Sequence, residues 1–196
     1  MDAPKVSSAA NVLFTGTEQE GRSLEPELIS KARGGDGQAF GQLVEMNYDF
    51  IYATAWRWTR NRSDAEDIAQ DVCVRLGSAI RSFRGEGRFR TWLYALVLNA
   101  VRDLARKSVR ERRKTEEWSN DPALQSASAD EDTMQELWTA VQTLSPKQRD
   151  SVMLVYSEGL DHAEAAEVLG CSEPTVSWHL HEARKRLRTI LGREVA

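Results

Sequence analysis

Three groups of side chains in this sequence have types and spacings that could do chemistry. The first lies in FRGEGRFRTWLY, where Phe83, Phe89, Trp92 and Tyr94 alternate with Arg84, Arg88 and Arg90 around Gly85 and Gly87. Aromatic faces stack on unpaired bases and guanidinium groups hold phosphates, so the mixture suits single-stranded nucleic acid. Trp92 taken alone fits a core position equally well. The second group is DHAEAAEVLGCSEPTVSWHLHEARKRL, two short segments of helical period joined by Gly170-Cys171-Ser172. Alanines on the first allow close crossing and cations fill the second, which describes a helix-turn-helix. Glu173, Thr175, Ser177, Trp178, His179 and His181 are expected to face a major groove, with Arg184, Lys185, Arg186 and Arg188 on phosphates. Trp178 fits a core as well, but Val176 and Leu180 already occupy the inner face. The third group is Asp64, Glu66, Asp67, Gln70 and Asp71, a polar face opposite Ile68, Val72 and Leu76. Acids early in a helix suit its positive end, which explains Asp64 and Glu66 better than Asp67 and Asp71.

Hydrolytic and metal chemistry find no support. Cys73 and Cys171 are far apart and belong to no ligand cluster. His179 and His181 lack a third ligand nearby, and no carboxylates pair in a cleft-like context. The expectation is therefore a protein without catalytic residues, metal or cofactor.

Elements must position these groups. From Pro26 the pattern is helical, broken at Gly34-Gly35, with Asp36 set to cap a long helix carrying Phe40, Leu43, Val44, Tyr48, Ile51, Tyr52 and Ala55. Trp56 and Trp58 close it, and their spacing requires one to be partly exposed. Ser63 and Glu66 have capping-box spacing for the acidic helix. Two glycines rule out regular helix over residues 84–88, after which Trp92, Leu93, Leu96, Val97, Ala100, Val101 and Leu104 define another helix, ending in a basic run from Arg102 to Lys114. In the C-terminal part, Met134, Leu137, Trp138, Val141 and Leu144 share a stripe. Ser145 with Gln148 caps a helix containing Val152, Met153, Val155 and Tyr156, and Gly159 stops it. Asp161 with Glu164 caps a helix packing through Ala163, Ala166, Val168 and Leu169. Ser172 caps a last helix that turns Val176, Leu180, Ala183, Leu187 and Ile190 inward. No strand pattern occurs.

The expected fold is all-α: two small helical domains joined by a flexible acidic linker, the second a four-helix domain with the helix-turn-helix. Composition places the boundaries. Residues 1–23 are a Ser/Ala/Thr/Gly-rich extension, 24–114 a first domain, 115–133 the linker and 134–196 the second domain. The formal charge of -4 hides a segregation. Arg81–Lys114 holds eleven Arg/Lys against three Asp/Glu, whereas Thr115–Glu136 holds seven Asp/Glu and no Arg or Lys. That contrast suggests a basic binding face beside an acidic tether. No apolar run approaches a membrane span and no signal pattern opens the chain, so no membrane insertion and a cytoplasmic location are expected.

Together DAEDIAQDVCVRL, FRGEGRFRTWLYALVLNAVRDLAR and LSPKQRDSVMLVYSEGLDHAEAAEVLGCSEPTVSWHLHEARKRLR resemble the extracytoplasmic-function (ECF) sigma factors of the sigma-70 family. The likeness covers roughly residues 25–110 (region 2) and 134–191 (region 4). It implies a bacterial transcription initiation factor that binds core RNA polymerase, recognises -10 and -35 promoter elements and promotes melting. Asp64, Glu66, Asp67, Gln70 and Asp71 would dock on the clamp helices of the largest core subunit. Phe83, Arg84, Arg88, Phe89, Arg90, Trp92, Asn99, Arg102 and Arg106 would hold -10 DNA, the loop capturing a flipped base. Ser172, Thr175, Ser177, Trp178, His179, Arg184, Lys185 and Arg188 would hold the -35 element, and region 4 would also meet the flap of the second subunit. An anti-sigma protein is a family expectation. The sequence departs from the family at Ser177-Trp178-His179, where a Lys-Ser-Arg-like triplet is common, and at Gly77, where a large aromatic is common. The other function class open to these residues is a stand-alone helix-turn-helix regulator, which would have no use for Asp64–Lys114.

Overall fold

The computed structural model describes the backbone of residues 17–85, 87–115 and 129–192, with side chains from residue 25 to 110 (except 86 and 109) and from 134 to 192. All regular structure among them is helical, as expected, and no strand occurs. The proposed linker lies largely outside the described residues, as does the start of the N-terminal extension. Two compact units emerge, and their boundaries run through helices.

The first unit takes residues 17–50 and 73–83. It contains α1 (Thr17–Arg33), the first part of α2 (Gly37–Thr59), the end of α3 (Arg62–Ala79) and a 3-10 turn at Ile80–Ser82 that packs on α1. α1 begins earlier than its apolar period indicates and carries Pro26 inside it. A proline there removes one intrahelical hydrogen bond, a local loss the rest of the helix tolerates. Asp36 caps α2 as expected: its Oδ1 accepts from the Gln38 and Ala39 N–H groups at 2.9 and 3.0 Å. Tyr48, placed on the apolar face by its spacing, is exposed. Asn47 is buried in its stead, its Nδ2 donating to the Leu43 carbonyl at 2.9 Å. Gly77 sits beside the Phe40 ring, so an aromatic from α2 fills the space that the missing side chain leaves.

The second unit takes residues 51–72 and 84–192. Besides the remainders of α2 and α3 it contains α4 (Phe89–Thr115), α5 (Ala129–Gln142), α6 (Pro146–Val152), a π-helical segment at Met153–Ser157, α7 (His162–Leu169) and α8 (Glu173–Leu191). α5, α6 and α7 all pack on α8, which buries Val176, Leu180 and Ala183. α7 also packs on α4. The tryptophan pair divides as the spacing requires, with Trp58 buried and Trp56 exposed.

Three expectations differ in the structure. α3 is capped by Asn61, whose Oδ1 accepts from the Asp64 N–H at 3.0 Å; Ser63 already lies inside the helix. α7 packs through Ala165, Ala166 and Val168, while Ala163 is exposed and Leu169 half-buried. At the end of α8, Leu187 is half-buried and Ile190 exposed, because the helix outruns the elements that cover it.

Candidate nucleic-acid interface

The acidic face of α3 is set by burial of Ala65, Ile68, Ala69 and Val72 on the opposite side. That stripe follows the three- and four-residue period and leaves Asp67 and Gln70 exposed. Asp64, Glu66 and Asp71 are half-buried, and Glu66 Oε1 accepts from Arg62 Nε at 2.9 Å. The side chains most open to a partner are thus Asp67 and Gln70.

The loop before α4 is arranged differently from its sequence reading. Phe83 and Phe89 are only 7 and 5 % exposed, and Tyr94 is buried as well. Trp92 is half-buried with its ring 5.4 Å from that of Phe89. The rings expected to stack on bases are therefore mainly core, because each phenyl gains more from burial than it could on a solvated loop. Arg84, Arg88 and Arg90 remain at the surface, with Arg88 Nη1 donating to Glu164 of α7 at 2.6 Å. Along α4, Asn99 is exposed, Arg106 pairs with Asp103, and Arg102 reaches Asp150 at 3.0 Å through Nε and 2.6 Å through Nη2. Burial pushes the Asp150 carboxyl up, and Arg102 only partly offsets it. Arg102 is thus engaged with protein on one edge of its guanidinium.

A second buried carboxylate escaped the sequence reading. The Glu158 side chain is fully buried; it accepts from Arg57 Nε (2.9 Å) and Nη2 (2.5 Å), from Trp58 Nε1 (3.1 Å) and from the Tyr94 hydroxyl (3.2 Å). Burial and the adjacent Glu158 charge push the Tyr94 phenol up to about 12. The hydrogen bond to Glu158 raises Arg57 above the ordinary guanidinium value. Nothing local marks Glu158, since its partners lie 64 to 101 residues away.

The helix-turn-helix forms where the sequence places it. Asp161 Oδ1 accepts from the Glu164 N–H at 2.8 Å while Glu164 Oε2 accepts from the Asp161 N–H at 3.2 Å, the reciprocal cap expected for α7. Gly170 adopts φ 63° and turns the chain, so the Cys171 N–H donates back to the Ala166 carbonyl at 3.0 Å. Ser172 occupies the cap position of α8, but its hydroxyl bonds the Thr175 hydroxyl at 2.8 Å and caps no backbone donor. Ser177, Trp178 and His181 are exposed, Trp178 at 57 %. Ser177 Oγ meets His162 Nδ1 at 2.9 Å, and Arg184 Nε donates to the Tyr156 hydroxyl at 2.9 Å. Lys185 and Arg188 are exposed beyond it. His179 departs from expectation: it is 8 % exposed, and its Nδ1 has no partner among the described residues. Helical phase explains this, because 176, 179, 180 and 183 fall on one face. Burial, then the charge of Lys147, holds the imidazole below its ordinary pKa.

Among the described residues no helix is long and apolar enough to cross a membrane, and no group of three ligand-type side chains could hold a metal ion. Two helical segments, one with an acidic helix and a basic one, the other with a helix-turn-helix, define the class of DNA-directed transcription factors. The family descriptions for sigma-70 region 2 and sigma-70 region 4 match residues 43–111 and 134–187. The chain is 32 % identical over 176 residues to the ECF RNA polymerase sigma factor SigW of Bacillus subtilis, covering 83 % of this chain and 94 % of that protein. It is 29 % identical to SigE of Mycolicibacterium smegmatis, covering 97 and 78 % of the two chains. Among solved structures it resembles CnrH in complex with the cytosolic domain of CnrY, with TM-score 0.63, 26 % identity and 87 and 99 % coverage. The chain belongs to the ECF sigma factors of the sigma-70 family. It is an alternative sigma factor that initiates transcription, and the stand-alone regulator is not favoured.

Proposed function

We propose that this sigma factor binds core RNA polymerase through Asp67 and Gln70 on α3, with Asp64, Glu66 and Asp71 beside them, and that the clamp helices of the largest subunit receive this face. Arg84, Arg88, Arg90 and Trp92 hold the single-stranded -10 segment, and Asn99, Arg102 and Arg106 hold the adjoining duplex. Phe83 and Phe89 support the loop from beneath. In region 4, Thr175, Ser177 and Trp178 meet the -35 major groove, Ser172 lies at the start of the helix, and Arg184, Lys185 and Arg188 meet phosphates. His179 acts from inside the domain. Region 4 also docks on the flap of the second core subunit.

The observation that carries this reading is the ordered match to both sigma-70 regions, joined to an exposed acidic face on α3 and exposed basic side chains on α8. Region 2 spans 24–114, region 4 spans 134–196, the acidic stretch 115–133 tethers them, and residues 1–23 precede them. The protein works without catalysis of its own, in the cytoplasm, where polymerase and template meet. An anti-sigma protein is a further proposed partner, supported by the complex in which the similar CnrH was solved.

Co-elution of the purified chain with core polymerase, followed by promoter-specific transcription in vitro, tests the whole reading. Failure of the folded chain to bind core overturns it.

A further inference from the structure

Thr59, Thr139, Ser151 and Thr189 each donate their hydroxyl hydrogen to the carbonyl four residues earlier, at 2.8 to 3.2 Å. A serine or threonine inside a helix commonly spends its proton in this way. Ser177, in the second turn of α8, does not, although the Glu173 carbonyl lies one turn behind it. Among the described residues its Oγ has a single partner, His162 Nδ1, at 2.9 Å. His162 is the first residue of α7, so this bond ties the two helices of the helix-turn-helix together beside their packed face. Ser177 is exposed and His162 half-buried.

A hydroxyl has one proton and two lone pairs, and a neutral imidazole has one donating and one accepting nitrogen. The Ser177 proton is not on its own helix, so it lies in the bond to His162, where Nδ1 accepts and Nε2 carries the ring proton. The Ser177 oxygen then offers only lone pairs to whatever meets the outer face of α8. An unheld serine is ambivalent in a major groove, because its hydroxyl rotates to give or to take a hydrogen bond. The held serine can only take one. The groove's donors are the N6 amino group of adenine and the N4 amino group of cytosine, whereas guanine and thymine present acceptors at the equivalent edge.

We propose that His162 is a positioning residue for -35 recognition: it fixes Ser177 as a hydrogen-bond acceptor, so that this serine selects a base with an exocyclic amino group. His162 does this through Ser177 and needs no contact with DNA. The inference rests on the reading that α8 enters the -35 major groove.

The test is transcription in vitro by core polymerase with the full chain, starting from a promoter that this holoenzyme uses and randomising its -35 segment. The unaltered chain should prefer adenine or cytosine on one strand at one base pair by about tenfold, within the range for a single mismatch. His162→Phe keeps a ring but has no acceptor, and should bring that one preference to near parity while the rest of the profile stays. His162→Asn should restore it, since the amide oxygen accepts in place of Nδ1. Removing the amino group of the preferred base (adenine to purine, or cytosine to 2-pyrimidinone) should lower transcription by the unaltered chain by the same factor and leave His162→Phe unaffected. In a Ser177→Ala background, His162→Phe should change nothing further. A profile that His162→Phe leaves intact overturns the proposal. So does a loss spread evenly over all sequences, which marks a phosphate contact or a weakened fold. A holoenzyme of the unaltered chain with no preference anywhere in the segment overturns the reading of region 4 as well, so the two failures are distinct.

Discussion

The loop before α4 and the helix α8 use the same materials, aromatic rings and arginines, and dispose of them in opposite ways. In the loop Phe83 and Phe89 are buried while Arg84, Arg88 and Arg90 are at the surface. On α8 the largest ring, Trp178, is more than half exposed, and the polar His179 beside it is buried. The two rings meet edge to face, with centroids 5.0 Å apart. The difference shows that an aromatic residue in a nucleic-acid-binding segment is not by itself a contact. The glycines inside a short loop let the ring at each end turn toward the nearest apolar surface. A helix already filled by Val176, Leu180 and Ala183 assigns each side chain its direction by phase, and Trp178 falls outside.

The contrast can be broken or sharpened by substitution. Phe89→Ala is expected to destabilise the fold by about 3–5 kcal/mol, the range for removing a buried phenyl ring, measured by urea denaturation. A cost near zero would mean that the ring is a surface contact after all. Arg57→Ala leaves the fully buried Glu158 carboxylate without its cation and should cost about 3 kcal/mol, the lower end of the range because Arg57 is itself 35 % exposed. Glu158→Gln should cost less, since the amide keeps an acceptor for Trp58 and Tyr94. Tyr94→Phe removes one hydrogen bond to Glu158 and should cost about 1 kcal/mol. Trp178→Ala should change stability by less than about 0.5 kcal/mol, as for an exposed side chain. It should nonetheless reduce transcription from a promoter that depends on its -35 element, with core binding unchanged; an equal loss of stability would move Trp178 into the core.

Asp150 adds a dependence on pH. Its folded pKa is raised by burial above the ordinary aspartate value of 3.8. The folded state therefore holds this proton more tightly than the unfolded one. The stabilisation from this group is complete below pH 3.8 and is lost as pH rises through the folded value. Asp150→Asn should remove that fall from a plot of unfolding free energy against pH. A plot with an unchanged slope would show that Arg102 compensates the carboxylate fully.

Much of the molecule was legible in the sequence. The helix-turn-helix, the cap of α7, the turn at Gly170 and the Asp36 cap of α2 follow from residue types a few positions apart, because capping and periodicity are local interactions. The cap of α3 was misplaced from Asn61 to Ser63, since both are good capping residues and only the backbone path chooses between them. The exposed face of α3 was legible as a stripe. The burial of Phe83, Phe89 and His179 was not, because it depends on which surface the fold brings against them.

The sequence by itself determined the helical class, the order of the acidic helix, the basic helix and the helix-turn-helix, and membership of the sigma-70 family, all of which rest on side chains close along the chain. Only the tertiary structure decided that Glu158 joins Arg57, Trp58 and Tyr94, that Arg102 finds Asp150, and that His179 is buried. Those pairings span 48 to 101 residues. A buried charge is tolerated only where a partner meets it, so packing rather than local propensity chooses the partner.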